Sequence, residues 1–550
     1  MNEHAKDRAA DFCRPSAVAG NTCTGEQKPF KLTYATMFDS PPELHQRFEE
    51  ALKQLHHDLG ASYPMLWGGQ SHEAAERFSD CSPTDGTVLG YFQKGTAQDA
   101  QQALAAARAA APAWGATPWK ERVRIMRAAA DLLEERLFTL GAILSLEVGK
   151  NRMESLGDGA EAVETIRYAC NRMEQCNGMV QQMGSDPLRG YTSTNVSVLR
   201  PYGVWVIISP FNFPASLTGG PAGVALVAGN AIVIKPATDT PWGPWFIAKT
   251  FLDAGVPAGV VNFVTGPGST LGQALTDSPQ VDGLTFTGSY DVGMGIYRSF
   301  ANGRYPRPLI LEMGGKNATI VSRHANLDDA AIGIVRSAFG LQGQKCSACS
   351  RVFVEDDVYD ELLKKIVART AEVVIGDPVE ASVACGPVIN SKAQQNFIAY
   401  CKELQSTGRI LCGGKILTGG SYEHGFFCAP TVVADVPFTN PLWSKEMFLP
   451  ITMVGRVSSL DEAMEITNSV DYGLTAGFYG SKEENSWFFD HIQAGVTYAN
   501  RPQGATTGAW PGFQPFGGWK GSGSTGKNAG GIYYLPLYMH EQIQVTVEQD

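Results

Sequence analysis

Charge is scarce in this 550-residue chain, and what there is leans acidic. Asp, Glu, Lys and Arg together make 18% of it, and 44 basic against 55 acidic side chains leave a net charge of −11. Without a basic excess the chain lacks the field that nucleic acid or an anionic membrane surface selects, so neither is an expected partner. Cysteine is sparse, scattered and odd in number, eleven in all, and no apolar leader follows the mixed charges of Met1 to Arg8. Neither a disulfide framework nor export is expected, and a reduced cytoplasm is the expected compartment. There is no internal repeat and no low-complexity tract. An unbroken apolar span is missing too. Gly203 to Ile234 carries no charged side chain, but Pro210, Asn212, Pro214, Gly219, Gly220, Pro221 and Asn230 interrupt it. Lipid would leave so broken a backbone unsatisfied, which argues against a membrane helix.

What is present is an ordinary globular balance, 44% hydrophobic, over a length that predicts about three to four domain-sized pieces. Ala97 to Ala110 is alanine-rich behind a Thr96 cap and reads as a helix; a second helical pattern starts at Thr117-Pro118 and runs towards Glu147. Strand and helix then alternate. Val204 to Ile208, Ala231 to Ile234, Val260 to Thr265 and Leu284 to Phe286 read as strands, and Ala222 to Gly229 and Trp242 to Ala254 as helices. A second series has strands at Ala318 to Val321, Val352 to Val354 and Pro450 to Val454, with helices at Leu327 to Phe339, Tyr359 to Val373 and Leu460 to Asn468. Such alternation predicts parallel sheets covered on both faces, hence an α/β chain of two domains with a junction near Gly314-Gly315. Thr192 to Leu199 and Gln542 to Glu548 read as sheet edges that invite pairing with another subunit. Residues 1 to about 35 are polar, without a clear period, and read as an extension or surface arm.

The chemistry-bearing residues leave alternatives open when taken singly. Cys346 and Cys349, three apart, suit a redox pair, half a zinc site, two buried thiols, or one nucleophile, Cys346. No second Cys-x-x-Cys appears to complete a zinc site, and a helical pattern, not a strand, precedes the pair. Glu312 closes an apolar strand before two glycines, where burial would raise its pKa towards that of a general base; a solvated strand end is the plainer reading. Gly266-Pro267-Gly268-Ser269-Thr270-Leu271-Gly272 follows a strand and opens a helix, a context that binds phosphates, although Leu271 stands where the dinucleotide fingerprint wants glycine. Lys235 ends a buried strand, placed either to meet a ribose or phosphate or simply to snorkel outwards.

Together these segments resemble the aldehyde dehydrogenases from about residue 80 to the C-terminus. The resemblance rests on Ser209-Pro210-Phe211-Asn212-Phe213-Pro214, Lys235-Pro236-Ala237, Phe286-Thr287-Gly288-Ser289, Glu312-Met313-Gly314-Gly315-Lys316, Gln344-Lys345-Cys346, Glu446-Met447-Phe448 and Pro515-Phe516-Gly517-Gly518, in that order. It implies a Rossmann-type NAD-binding domain, an α/β catalytic domain and a small β oligomerisation arm. The expected divisions are an N-terminal extension, 1–35; the NAD-binding domain, 36–183 and 202–314; the catalytic domain, 315–519; and the arm, 184–201 and 520–550. The resemblance also implies that Cys346 attacks the aldehyde, that Asn212 and the Cys346 backbone N–H hold the oxyanion, and that Glu312 activates water on the thioester. For the cofactor it implies Ser209, Pro210, Phe211, Lys235, Thr238, Gly268, Ser289, Met313, Glu446 and Phe448, with no metal. Leu449 replaces the glycine usual after this phenylalanine.

Gly340 to Arg351 and Thr506-Thr507-Gly508-Ala509 are similar, more narrowly, to the 1-pyrroline-5-carboxylate (glutamate-semialdehyde) dehydrogenases. That likeness implies that Gly508, Ala509 and Ser347 hold an α-carboxylate, Glu161 an ammonium, and Phe213 and Phe516 the aliphatic part of the substrate. Pro502 to Ala505 lengthens the loop before Thr506, and Trp510-Pro511 follows it. The expected activity is oxidation of L-glutamate γ-semialdehyde by NAD in a homodimer or higher oligomer. Thr238, three residues after Lys235 where many NAD-preferring relatives have Glu, leaves room for some NADP use. The alternatives are a dehydrogenase of another semialdehyde or an aromatic aldehyde and, more distantly, a non-catalytic protein or a metal or redox protein using Cys346 and Cys349.

Overall fold

The computed structural model describes residues 31–34 and 36–550; the remainder of the N-terminal extension, including Met1 to Arg8, lies outside the described residues. Two seven-stranded sheets organise the chain. In the first, five strands run parallel in the order Leu309–Glu312, Gly283–Thr287, Val204–Ile208, Ala231–Lys235 and Val261–Phe263, and an antiparallel hairpin, Met65–Trp67 with Gln70–His72, extends one side. Chain order reverses between Val204–Ile208 and Gly283–Thr287. A doubly wound sheet opens a crevice there, outside the carboxyl ends of its strands. The strands are continuous Val, Ile, Leu and Phe runs because helices cover both faces. The buried helix Ser216–Ala228 lies against Arg152–Gln175 on one side, and Ala97–Ala116 packs on the other.

The second sheet orders Arg409–Cys412, Thr431–Ala434, Ile451–Val457, Cys349–Glu355, Asn317–Val321, Thr475–Tyr479 and Val496–Ala499, all parallel except the first pair. Only residues 313–316 separate the last strand of the first sheet, Leu309–Glu312, from Asn317–Val321 near the middle of the second.

Four readings differ from the structure. The pattern from Thr117 to Glu147 is two helices, Trp119–Glu135 and Leu137–Val148, broken at Arg136, where ψ turns to 7°; Pro118 sits at the cap rather than inside the first turn. The buried helix read from Ala222 starts earlier, at Ser216, and carries Pro221 inside it. The helix after Gly268 is one wide turn, Gly268–Gly272, followed by a single turn at Gln273–Thr276. Finally, the two presumed free edges pair with each other: Tyr191–Pro201 runs antiparallel to Met539–Gln549, Thr192 facing Glu548. The outer side of Met539–Gln549 is the edge that stays open, with Ile543, Val545 and Val547 exposed. Among the described residues, no helix is long and apolar enough to cross a membrane.

Candidate active site

The crevice at the chain-order reversal is a cavity of about 730 Å³. Its walls are the loops that leave the parallel strands: Ser209, Pro210, Phe211 and Asn212 after one strand, Lys235 at the end of the next, Ser289 and Gly288 after a third, and Glu312 and Met313 at the last. Gly268 lines it from the wide turn, and Glu446 and Phe448 from the second sheet's side. Thr238 alone of the expected cofactor residues is elsewhere, exposed and off the cavity wall. Lys235 is only 5% exposed; its Nζ donates to the Pro236 carbonyl at 3.0 Å, and burial pushes it down to about 8. A long pocket with a buried amine over the wide turn at one end and a carboxylate at the other fits a dinucleotide with its ribose hydroxyls.

That carboxylate is Glu446, whose Oε1 accepts from the Gly315 N–H at 2.9 Å and which burial pushes up to about 7. It lies so close to Gly314 that a Cβ there would sit 2.1 Å from its oxygen, which only glycine tolerates. Leu449 does not disturb the neighbouring loop as a missing glycine would. The left-handed conformation falls on Phe448 (φ 57°) instead, Leu449 is buried in the second sheet's core, and Phe448 meets the Phe211 ring edge-on at 5.8 Å.

Cys346 sits where this cavity meets a smaller one of about 70 Å³. The loop that carries it is fastened at one carbonyl after another. Asn212 Nδ2 donates to the Gln344 carbonyl at 2.8 Å, and Asn317 Nδ2 to those of Cys346 at 2.7 Å and Ala348 at 3.0 Å. Lys345 Nζ meets Glu154 Oε1 at 2.5 Å, both side chains buried, and Glu154 also accepts from the Leu341 N–H at 2.9 Å. Leu341 and Gln342 are both left-handed (φ 47° and 55°), a strained turn of the sort that active sites hold. The Asn212 amide has a second N–H beyond the one it gives Gln344, so it keeps a donor for an oxyanion at the sulfur.

Burial, with the carboxylates of Glu446 and Glu312, pushes the Cys346 thiol up, so forming the thiolate that attacks needs a proton acceptor. Glu312 closes its strand 7% exposed, and its Oε2 is buried with no hydrogen-bond partner among the described residues. Burial raises its carboxyl well above the usual range, which is how a carboxyl becomes basic enough to take a proton near neutral pH. Cys349, by contrast, is fully buried, 3.1 Å from Thr319 Oγ1, and lines neither cavity. Among the described residues no cluster of His, Cys, Asp and Glu could hold a metal.

The smaller cavity collects all the residues expected to meet substrate: Glu161, Phe213, Ser347, Gly508, Ala509 and Phe516. Its floor is locked by the lengthened loop. Thr506 Oγ1 donates to the Ser347 carbonyl at 2.6 Å, and Arg501 donates to the Thr507 carbonyl. Gly508 is left-handed (φ 132°), and a Cβ there would meet the Arg501 guanidinium at 1.9 Å. Behind the cavity a fully buried ion pair, Lys150 Nζ to Asp158 Oδ2 at 2.8 Å, braces the start of Ser216–Ala228: Asp158 accepts from the Ser216 and Ala215 N–H groups at 2.8 and 3.4 Å, and Lys150 lies 3.7 Å from the Phe213 ring centre. Sequence reasoning missed this pair, Trp510, and Tyr34, which reaches the cavity from the N-terminal segment. A lysine eight residues before an aspartate is legible as a pair only once both are known to be buried; Tyr34 carried no local signal.

A doubly wound sheet with its crevice at the reversal point, and a thiol and a buried carboxyl sharing the crevice wall, agree with the match of the aldehyde dehydrogenase family model over residues 70–543. The chain belongs to the aldehyde dehydrogenase family. It is 36% identical over 498 residues (90% of this chain and 94% of the relative) to the 1-pyrroline-5-carboxylate dehydrogenase of Geobacillus sp. (strain WCH70). The crystallised 1-pyrroline-5-carboxylate dehydrogenase from Thermus with bound NAD superposes with a TM-score of 0.87 at 33% identity, over 95% of this chain and 100% of that one. Proline utilization A (PutA) from Bdellovibrio bacteriovorus is similar at a TM-score of 0.85 and 32% identity, over 92% of this chain and 52% of that longer one.

Proposed function

We propose that this chain oxidises L-glutamate γ-semialdehyde, the open form of 1-pyrroline-5-carboxylate, to L-glutamate with NAD. The observation that carries this reading is the position of Cys346: one sulfur borders both a dinucleotide-sized cavity and a small chamber whose donors suit an α-carboxylate. In the proposed sequence the thiol proton passes to solvent water and Cys346 Sγ bonds the aldehyde carbon. Asn212 Nδ2 and the Cys346 N–H hold the resulting oxyanion, one such donor being worth about 3 kcal/mol. When bound, the nicotinamide supplies the acceptor for the hydride that leaves this adduct as the thioester forms. Glu312 then takes a proton from water, the water oxygen bonds the acyl carbon, and the C–S bond breaks to release the acid and return the Cys346 sulfur.

Cofactor binding falls to Lys235 towards the adenosine ribose, Ser289 towards the pyrophosphate and Glu446 towards the nicotinamide ribose, with Ser209, Pro210, Phe211, Gly268, Met313 and Phe448 shaping the walls; Thr238 acts from the rim. In the chamber, the Gly508 and Ala509 N–H groups and the Ser347 hydroxyl receive the α-carboxylate as fixed neutral donors, Glu161 receives the ammonium, and Phe213 and Phe516 flank the methylenes. We infer the divisions 36–183 and 202–314 for cofactor, 315–519 for catalysis, and 184–201 with 520–550 as an arm. The open edge of Met539–Gln549, with its apolar face, supports a homo-oligomer of at least two chains. Scattered cysteines, Cys346 and Cys349 among them as free thiols, support a reducing, cytoplasmic setting.

An aldehyde panel tests the substrate. Simple alkanals would leave the chamber's donors unpaired at about 1–3 kcal/mol each, so glutamate semialdehyde should lead them by at least about a hundredfold in kcat/KM. Benzaldehydes or plain alkanals in the lead would refute the substrate while leaving the dehydrogenase chemistry standing.

A further inference from the structure

The chamber around Cys346 has one wall that the chemistry above does not use. Lys31 to Tyr34 and Thr36 to Phe38 fold over its mouth, and Tyr34, Met37 and Phe38 line it. Three contacts fasten the segment: Lys31 Nζ pairs with Glu164 at 2.7 Å, the Met37 N–H closes a turn onto the Thr33 carbonyl at 3.0 Å, and the Arg336 guanidinium lies 3.8 Å from the Phe38 ring centre. Tyr34 is therefore held in place. Its hydroxyl donates to Glu161 Oε2 at 2.8 Å, and its ring meets Phe213 and Trp510 edge-on, at 6.1 and 5.8 Å between centres.

We propose that Tyr34 is a positioning residue that sets specificity: its phenol fixes the Glu161 carboxylate, inside a cage of three aromatic rings, as the acceptor of the ammonium group of an amino-acid aldehyde. This rests on the substrate class proposed above and extends it. The physical need is plain. A carboxyl enclosed by Tyr34, Phe213 and Trp510 is driven towards its neutral form, and a neutral acid offers an ammonium little. Burial pushes Glu161 up to about 7; the nearby Asp158 adds to that, while the Tyr34 bond, the Lys150 charge and the Ser216 hydroxyl pull it back. The other charged or titratable neighbours are Cys346, Lys345 and Arg336, which share the chamber wall, and Tyr498, whose phenol Glu161 helps to raise. Among these groups Tyr34 alone donates a hydrogen bond to the carboxylate from the chamber's mouth. It occupies one oxygen, orients the other, and pulls the carboxyl towards its charged form. The ring faces around the cage also suit a cation.

The test compares glutamate γ-semialdehyde with glutarate semialdehyde, which has the same chain and carboxylate but no ammonium, using the full chain and NAD. Tyr34→Phe should lower kcat/KM for the amino substrate about tenfold near pH 7, the worth of one hydrogen bond to a charged group. The ratio of variant to wild type should recover as the pH rises to about 9, because base restores the Glu161 charge that the phenol had protected. Glutarate semialdehyde should change by less than about twofold. In a Glu161→Gln background, Tyr34→Phe should have no further effect on either substrate, which guards against a folding defect. Equal losses on both substrates, or a loss for the amino substrate that pH does not relieve, would overturn the role of Tyr34 and leave the substrate reading intact. A wild-type enzyme that did not distinguish the two aldehydes would overturn both.

Discussion

Replacing Lys150 by methionine probes how the aldehyde chamber is braced. Lys150 and Asp158 are both wholly buried, 2.8 Å apart, and burial alone would drive the ammonium towards neutrality were Asp158 not beside it. Removing the cation leaves a carboxylate inside the protein. Breaking one side of such a pair costs about 3–5 kcal/mol. Asp158 keeps two N–H donors, from Ser216 and Ala215, which sets the expected loss near the lower end, about 3 kcal/mol. Lys150→Met/Asp158→Asn removes both charges and should recover most of it, ending within about 1 kcal/mol of the wild type. Urea unfolding followed by tryptophan fluorescence measures both variants. A second readout comes from the site: Phe213 loses the cation 3.7 Å from its ring, so KM for the aldehyde should rise about fivefold, equivalent to ~1 kcal/mol, in the single and the double variant alike. A single variant as stable as the wild type, or a double variant no better than the single, would refute the account of the pair as a mutually dependent brace.

Three further outcomes follow from the site. Cys346→Ala should abolish turnover while cofactor binding, followed by fluorescence quenching, stays near normal; Cys349→Ala, buried away from both cavities, should keep most activity and lose about 1 kcal/mol of stability, and equal inactivity of the two would favour a paired-thiol chemistry. Glu312→Gln should give a burst of NADH and then stall as the thioester accumulates. Because burial holds the Glu312 carboxyl far above its usual range and its ionised form is the base, wild-type deacylation should speed up as pH rises and the variant's should not; a slow first turnover without accumulated acyl-enzyme would contradict this. kcat/KM should favour NAD while NADP is still used, and Thr238→Glu at the rim should cut NADP use about tenfold by like-charge repulsion of roughly 1 kcal/mol; a clear NADP advantage in the wild type would overturn the cofactor preference.

The parts legible in the sequence were those whose signals are local. Val204–Ile208 is readable to the residue because an uninterrupted apolar run ends at Ser209-Pro210, and Leu327–Phe339 because Asn326 caps it. Arg136, neither proline nor glycine, hides the break between Trp119–Glu135 and Leu137–Val148. The helix Arg152–Gln175 buries Glu154, Asp158 and Arg172 among small residues; Glu154 and Asp158 find partners as far along the chain as Lys345 and Ser216, so no apolar stripe announces it. The strands between residues 61 and 93 are three to six residues long, and several pair only with each other or with a distant edge. The partnership of Tyr191–Pro201 with Met539–Gln549 spans most of the chain, and alternation alone indicates an edge without naming what lies beside it. In the site, the wall of the larger cavity was legible because topology fixes it at strand ends; Tyr34 was not, since a tyrosine in an aperiodic segment has no signature until the fold brings Glu161 to it.

The chain enters its second large sheet once and leaves it once. It enters the second sheet through residues 313–316, directly after Glu312, and leaves it after Val496–Ala499 through the loop that carries Gly508, Ala509 and Phe516. Both crossings run beside Cys346. Two covalent tethers define a line, and the nucleophile lies next to it. Any rocking of one sheet against the other therefore sweeps their far margins through the largest arc and moves the sulfur, its base and the acyl chamber least. A rotation about that line would open the cofactor crevice while leaving the distances that govern bond-making nearly constant.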